Sequence, residues 1–438
     1  MGIEAEYDYT QRVYRRIVCA ATKAASFNDA CALLTELTEL QLTAKRVWRA
    51  TLRIGKERMA ECDQAAAEYQ QLTLPAQRES PVAQIPQVAC AMMDGGRHQE
   101  RERNPSPPDE TATPAVEPPS LVDDSSDNSP ANAPGKHWCE FKAGTLMSMT
   151  SEVCVEDPCP TLPATFADPG KMRERAREIK GFTSESPVSP RSAEAAETKI
   201  AKAAADEAQT TAADECNRPK LLVKSVVATS GNVDVFGLLL ASAAYARGFH
   251  AAVRKAFVSD GSAGNWGVWS KHFSHYTPIL DFVHALMYVY AGAMAGRSPN
   301  EGWLAYRDWA QWLWEGSVDR VLAALAERQQ QLGLPERNET GTPRAQVASS
   351  LGYLTNQRAR MKYDEYRQQG LPITSSPMES TVKQINRRIK GTEKFWDDGA
   401  DPMLHLKADE LCQTDAVGKF WSRRLERLIQ SASYHAAA

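Results

Sequence analysis

Apolar residues in the N-terminal region recur at the spacing of one helical face. After Ser26, a candidate helix cap, the apolar positions are Phe27, Ala30, Leu33, Leu34, Leu37 and Leu40. This spacing predicts a helix that begins at Ser26 and ends near Leu40. Thr43 is the candidate cap of a second helix, in which Val47, Leu52 and Ile54 are surrounded by Lys45, Arg46, Arg49, Arg53 and Lys56.

Two helices with a tight joint and a basic second helix are typical of a helix-turn-helix. A plain helical hairpin with a solvated basic face fits the same residues, since the joint lacks the glycine often found in such turns. Both interpretations stay open on the pattern alone. Under the first, residues 1–75 form a helix-turn-helix-like DNA-binding domain, and the candidate DNA contacts are Lys45, Arg46 and Arg49.

Strand and helix patterns alternate in the central part of the chain. Residues 221–229, 256–260 and 276–282 have strand patterns, and residues 234–247 have a helical one. This order predicts an α/β sheet. Helical patterns dominate 286–370, where Trp303, Trp309, Trp312 and Trp314 are expected in the core rather than stacked on bases, because aromatic residues at helical spacing usually pack inward.

Two segments lack any apolar periodicity. Residues 98–136 are rich in Pro, Ser, Asp and Asn, and their acidic residues outnumber the basic ones, which predicts a disordered insert. Residues 181–218 consist largely of Ala, Glu, Lys and Thr without a core face, and we expect a low-complexity linker. The net charge of −4 argues against a uniformly basic nucleic-acid-binding protein, but it averages over these strongly segregated regions.

The same patterns exclude several protein classes. The longest apolar run, residues 235–246, is too short to cross a bilayer, so no membrane partner is expected. The N-terminus lacks the basic and apolar regions of a secretory signal, which predicts a cytoplasmic protein. The cysteines include one close pair, Cys154 and Cys159, without a second pair at zinc-finger spacing, so a zinc finger is not expected.

Two acidic residues have local settings that suit a metal-binding centre. Asp260 ends the apolar run 256–260 and is followed by Gly261, which indicates a strand that delivers a carboxylate to a sheet edge. Glu379 lies in a predicted helix with Ser376 as its cap and Gly391 as its stop. Its neighbouring face carries Lys383, Arg387 and Lys390. Glu379 also fits a capping box, in which it would only satisfy the cap amide.

Motifs around these acids resemble those of DDE transposases from bacterial insertion sequences. Asp260-Gly261 is followed by Trp266, Trp269 and His272-Phe273, and then by Asp281-Phe282-Val283-His284. The segment 375–380 contains Glu379 and precedes Lys383 and the basic run 387–391. Together these motifs are most similar to the ISKra-type group, which is related to the Mutator-like superfamily.

The first acid of the resemblance is Asp94. Residues 88–97 are similar to the family's first strand with its Asp-Gly, and residues 138–151 are similar to the strand that follows. His98 and the acidic insert depart from the family's tighter hairpin. If the insert displaced the strand, Asp94 would lose its role.

The resemblance implies a ribonuclease H-like fold, a mixed sheet flanked by helices. Its core would comprise residues 84–97, 137–180, 219–285 and the catalytic helix segment 371–396, with the helical insertion 286–370 before Glu379 and a C-terminal helical tail at 397–438. The implied enzyme is a DDE transposase that cleaves element ends and joins the 3′-hydroxyl to target DNA. A nuclease without strand transfer and an inactive, transposase-derived DNA-binding protein are the alternatives.

The chemistry implied by the resemblance uses two Mg²⁺ ions, for which Mn²⁺ can substitute, about 4 Å apart. Asp260 would bridge the ions, and Asp94 and Glu379 would complete one site each. Asp281 would support the ligands, and His284 would contact a DNA phosphate or orient the scissile strand. The expected phosphate contacts are Lys383, Arg387, Arg388 and Lys390. The partners would be double-stranded DNA, both element ends and target, and further copies of the chain in a dimer or higher oligomer at the bacterial nucleoid.

Overall fold

The fold is built around a mixed sheet. The computed structural model describes residues 9–101, 136–180, 218–391, 394–396 and 399–437. The strands are β1 (Val88–Arg101), β2 (Lys136–Thr150), β3 (Lys220–Thr229), β4 (Arg254–Ser259), β5 (Thr277–Leu280) and β6 (Phe395–Trp396). All three predicted central strands are present, although the third is shorter than expected.

The strands follow the order β3-β2-β1-β4-β5, and β6 pairs with β1. The first three strands form an antiparallel meander. β4 lies parallel to β1, and β5 lies parallel to β4. A mixed sheet with helices between its parallel strands confirms the predicted α/β class.

Fifteen helices can be numbered along the described parts of the chain. The first five are α1 (Gln11–Lys23), α2 (Phe27–Thr38), α3 (Ala44–Gln71), α4 (Leu74–Arg78) and α5 (Pro169–Lys180). Within the sheet region lie α6 (Val233–Ala246) and α7 (Ala263–His272), and the helical insertion contains α8 (Phe282–Met294), α9 (Pro299–Trp314), α10 (Val318–Leu332), α11 (Pro343–Gln357) and α12 (Tyr363–Gln368). The last three are α13 (Ser376–Ile389), α14 (Ala400–Leu411) and α15 (Ala416–Ala437).

The two faces of the sheet are covered by different helices. α13 packs on β1 and β2, and a Cβ atom at Gly96 would lie 3.2 Å from Oδ1 of Asn386. α6 packs on β2 and β3, and a Cβ atom at Gly144 would lie 2.9 Å from Cδ1 of Leu240. Gly144 pairs with Met93, three residues before Gly96, so the alternation of strand side chains places these two glycines on opposite faces.

The N-terminal helices agree only in part with the sequence prediction. Ser26 and Thr43 cap α2 and α3 by accepting hydrogen bonds from backbone amides of the first turn. Two residues of the predicted apolar face of α2 do not pack inward: Leu33 is 40% exposed and Leu37 is 76% exposed. α3 extends over 28 residues and packs against α6 and α14, so these helices share the core of the sheet region.

Other boundaries also shift. Residues 98–101 and 136 belong to β1 and β2, so the ends of the predicted disordered insert are wrong, and the rest of the insert lies outside the described residues. Most of the predicted linker 181–218 also lies outside them. The predicted tail contains α14, which is buried along its length against α3 and β3.

The helical insertion begins earlier than predicted, since α8 starts at Phe282. Trp309 and Trp314 are buried, and Trp303 and Trp312 are partly buried against the same core, as predicted. Among the described helices, none combines the length and the apolar character that crossing a bilayer requires.

Candidate functional site

Neighbouring parallel strands bring Asp94 and Asp260 together. Met92 and Val258 are paired residues of β1 and β4. Asp94 and Asp260 each lie two residues further along, so both side chains point to the same face at the same height of the sheet. Neighbouring strands are about 4.8 Å apart, which is a distance that one cation can bridge between two carboxylates.

The acidic insert does not displace the first strand. β1 and β2 stay paired residue by residue from Val88–Met149 to Arg101–Lys136. Asp94 lies in the middle of this ladder, opposite Ala143. The departure from the tighter hairpin is therefore an extension of two paired strands beyond Asp94.

Hydrogen bonds hold the Asp260 carboxylate. Its Oδ1 atom accepts from the backbone amide of Ser262 at 3.1 Å, from Nδ2 of Asn265 at 2.9 Å and from Oγ of Ser259 at 3.2 Å. All three bonds go to the same oxygen, so among these contacts Oδ2 remains the oxygen that can meet a cation.

The turn after Asp260 is held by the helical insertion. Gly261 has a φ angle of +95°, which suits glycine, and a Cβ atom there would lie 2.6 Å from the hydroxyl oxygen of Tyr353. Tyr353 donates a hydrogen bond to the carbonyl of Asp260, and Nε2 of Gln357 donates to the carbonyl of Gly261 at 3.0 Å. Sequence reasoning missed both contacts, because α11 lies about ninety residues further along the chain.

Glu379 is free to act as a ligand because it is not part of a capping box. α13 begins at Ser376, one residue after the cap residue Ser375, so the predicted cap at Ser376 is wrong. Ser375 makes no side-chain cap bond to the helix and instead donates its hydroxyl to Oδ2 of Asp281 at 2.7 Å. The alternative interpretation of Glu379 is therefore contradicted.

Asp281 and the half-buried His284 form a pair at the start of α8. Asp281 is fully buried and caps this helix by accepting from the amide of Val283 at 3.1 Å. Its other oxygen lies 2.7 Å from Nδ1 of His284. One potential ligand atom from each of Asp281, His284 and Glu379 lies within 4.8 Å of the other two, so these side chains meet at one place.

The clustered charges shift the pKa values of the site. Burial raises the pKa of Asp94 to about 6, and the charges of Asp260 and Glu379 add to this effect. Burial, followed by the charge of Asp281, also raises the pKa of Glu379. Acids in this arrangement repel one another when ionised, so a bound cation would relieve the repulsion.

The surroundings favour the charged form of His284, whereas they disfavour the charged forms of Asp94 and Glu379. Burial opposes its charged form, but the hydrogen bond and charge of Asp281, with smaller contributions from Asp260 and Glu379, raise its pKa to about 9. Burial likewise opposes ionisation of Asp281, but the hydrogen bond and charge of His284 outweigh it and lower the pKa of Asp281. The Asp281 carboxylate therefore favours the charged form of His284, in which the ring donates a hydrogen bond to that carboxylate.

The donor set fits a hard divalent cation. Asp94, Asp260 and Glu379 supply carboxylate oxygens, which are the ligands that such cations prefer. The charges of Asp260 and Glu379 both act on Asp94, so the three predicted ligands lie near one another. The side chains whose potential ligand atoms lie within 4.8 Å of one another are, however, Glu379 and the two predicted supporting residues Asp281 and His284.

The predicted DNA contacts divide into two groups. Lys383, Arg387 and Lys390 are exposed on α13, and Lys45, Arg46 and Arg49 are exposed on α3. The prediction that Arg388 contacts a DNA phosphate is wrong. It is 3% exposed, donates from Nε to the carbonyl of Ala21 at 2.8 Å, and lies over the rings of Phe27 and Trp396.

Sequence reasoning also missed Arg175 of α5. Its charge lowers the pKa of Glu379, against the larger effect of burial, so it lies near the carboxylates. α5 follows a loop after β2 and carries no motif that would have signalled this position.

No family model matches the sequence, and no curated protein is significantly similar to it.

Proposed function

We propose that the chain is a DDE-type DNA transposase with a ribonuclease H-like core. The strand order supports the fold, because an antiparallel meander extended by two parallel strands, with the first strand central, is the arrangement of that fold. The resemblance of the motifs around Asp94, Asp260 and Glu379 to DDE transposases supports the enzyme class.

One observation carries the proposal. The register of β1 against β4 puts Asp94 beside Asp260, while Glu379 reaches the same site from a helix that lies far along the chain. Burial and the charges of neighbouring acids raise the pKa values of Asp94 and Glu379, which is a cost that packing alone does not explain. A pair of divalent cations, Mg²⁺ or Mn²⁺, would be held by Asp94, Asp260 and Glu379.

Bound ions of this kind supply Lewis-acid stabilisation of the attacking and leaving oxygens in phosphodiester cleavage. The side chains of the site have two separate roles. Asp94, Asp260 and Glu379 would hold these ions, because carboxylates repel a phosphate and cannot bind it directly. His284, kept charged by Asp281, donates a hydrogen bond to a phosphate oxygen of the DNA strand.

Basic residues next to the site would guide the DNA backbone. Lys383 lies one turn after Glu379, and its charge acts on that carboxylate. Arg387 and Lys390 continue the exposed face of α13. Contacts of this type bind phosphates irrespective of base sequence. Base recognition would fall to α3 through Lys45, Arg46 and Arg49.

The test is DNA cleavage and joining with the repeats that flank the gene, in the presence of Mg²⁺ or Mn²⁺. The comparison is between the wild type, Asp260→Asn and Asp308→Asn, which changes an exposed aspartate on α9. We expect joined products from the wild type and Asp308→Asn, and loss of both cleavage and joining in Asp260→Asn.

Each other outcome has a distinct meaning. Cleavage that depends on Asp260 without any joined product would replace the transposase by a nuclease. DNA binding without cleavage in all three proteins would indicate a transposase-derived DNA-binding protein. Unchanged cleavage in Asp260→Asn would overturn the proposed site itself.

A further inference from the structure

A second group of potential metal ligands lies on the extended β1–β2 ladder. His98 and Glu100 are two residues apart on β1, so they point to the same face of the sheet. Cys139 on β2 is the direct partner of His98 in the antiparallel register. One potential ligand atom from each of these three residues lies within 4.8 Å of the other two.

The contacts within the group leave one buried atom unsatisfied. His98 is completely buried, and its Nε2 lies 2.9 Å from Oε1 of Glu100. The thiol of Cys139 is hydrogen-bonded to the same carboxylate. Nδ1 of His98 is buried and has no hydrogen-bond partner among the described residues. Leaving a buried polar atom unpaired is unfavourable, so the group is poorly explained as packing alone.

A short third strand pairs beside the site. β6 pairs in parallel with Gln99 and Glu100 of β1, and Trp396 of β6 is buried. Two strands and a short third one therefore hold the three side chains on rigid backbone. Such a backbone can orient metal ligands without further ordering.

We propose that His98, Glu100 and Cys139 bind a thiophilic divalent cation of the zinc type, at a site separate from the carboxylate cluster. A thiolate and an imidazole select zinc-like cations, whereas Mg²⁺ prefers oxygen ligands alone. Three protein ligands leave one position of a tetrahedral ion for water or another group. The ion would tie β1 to β2 just beyond Asp94. The ligand spacing matches no zinc-finger pattern, so only the strand register reveals the site.

The test uses the full-length chain after removal of metal with a chelator. Co²⁺ is added, and thiolate-to-cobalt charge-transfer absorption is recorded, because only a cysteine ligand produces it. Zn²⁺ is then added to displace Co²⁺, and bound zinc is counted by elemental analysis. We expect one thiolate-ligated ion per chain.

Substitutions test whether the charge-transfer absorption comes from this site. Cys139→Ser and Glu100→Gln should lose or strongly weaken the absorption. Cys19→Ser, which changes an exposed cysteine on α1, and Glu379→Gln, which alters the carboxylate cluster, should retain it. Absorption that persists in Cys139→Ser, or its absence from the wild type, would overturn the proposal.

A second measurement avoids any dependence on variant folding. Alkylation of the wild-type protein is mapped by mass spectrometry with and without Zn²⁺. Protection confined to Cys139 supports the site. Equal alkylation of Cys139 with and without Zn²⁺ contradicts it.

Discussion

His250 makes the stability of the fold depend on pH. It lies in a short 3-10 helix, Phe249–Ala251, and is 3% exposed. Its Nε2 lies 3.2 Å from the carbonyl oxygen of Ala241, and its Nδ1 lies 3.1 Å from the hydroxyl of Tyr276. The neutral ring satisfies both contacts by donating from Nε2 and accepting at Nδ1.

Burial is the main reason why the pKa of His250 falls to about 4, and the nearby charges of Lys255, His272 and Arg78 act in the same direction. The unfolded chain has the ordinary value of 6.5. The stabilising effect of the neutral ring is therefore complete above pH 6.5 and is lost as the pH falls from 6.5 towards 4. Proton linkage gives a loss of about 2 kcal/mol between pH 7 and pH 5.

The assay is urea unfolding at pH 7 and pH 5, followed by tryptophan fluorescence. The wild type should lose about 2 kcal/mol more than His250→Gln over this interval, because the variant lacks the titrating ring. Tyr69→Phe is the matched control, since it alters a neighbour of the ring at 3.5 Å but keeps the histidine, and should retain the wild-type pH dependence.

The absolute stability of His250→Gln does not enter the comparison. An equal loss of unfolding free energy in the wild type and in His250→Gln would refute the reasoning. It would mean that the folded chain accommodates a charged ring at this position.

Three further predictions follow from packing and charge. Gly55→Ala should lower the free energy of unfolding in urea by about 1–3 kcal/mol, because its Cβ would lie 2.7 Å from Cβ of Pro402. Gly267→Ala, with open space around it, should not be destabilising in the same assay. Arg388→Ala should lower the free energy of unfolding by about 2 kcal/mol, because a buried hydrogen bond and ring contacts are lost. Arg387→Ala, at the exposed neighbouring position, should leave the free energy of unfolding unchanged. Equal effects of the two substitutions would contradict the burial of Arg388. If the chain binds DNA as proposed, Arg387→Ala should reduce the slope of log affinity against log salt concentration by about 1, measured by fluorescence anisotropy, and an unchanged slope would remove Arg387 from the interface.

The positions of the candidate ligands along the chain were accessible from sequence because their signals are local. An apolar run that stops at Asp260-Gly261 marks the end of a strand, and the cap residues Ser26 and Thr43 mark the starts of helices. Such features depend on a few neighbouring residues and their backbone preferences. The motif around Glu379 likewise identified the helix, although it misplaced the cap by one residue.

The burial of individual side chains was harder to predict from the sequence, because it depends on what packs against each helix or strand. Arg387 and Arg388 are adjacent and chemically identical, yet one is exposed and the other lies beneath Phe27. Leu33 and Leu37 follow the helical period but remain exposed, since no described element covers them. The period of a helix shows which residues share a face, and tertiary contacts decide whether that face is covered.

The sequence by itself determined the α/β class, several of the helices and strands, and the three carboxylates as candidates. Only the tertiary structure decided that β1 lies between β2 and β4, which places Asp94 beside Asp260 and pairs His98 with Cys139. It also decided that Tyr353 holds the turn after Asp260. The physical reason is that strand pairing joins residues far apart in the chain, through backbone hydrogen bonds that any side chain permits, so the local pattern specifies a strand without naming its neighbour.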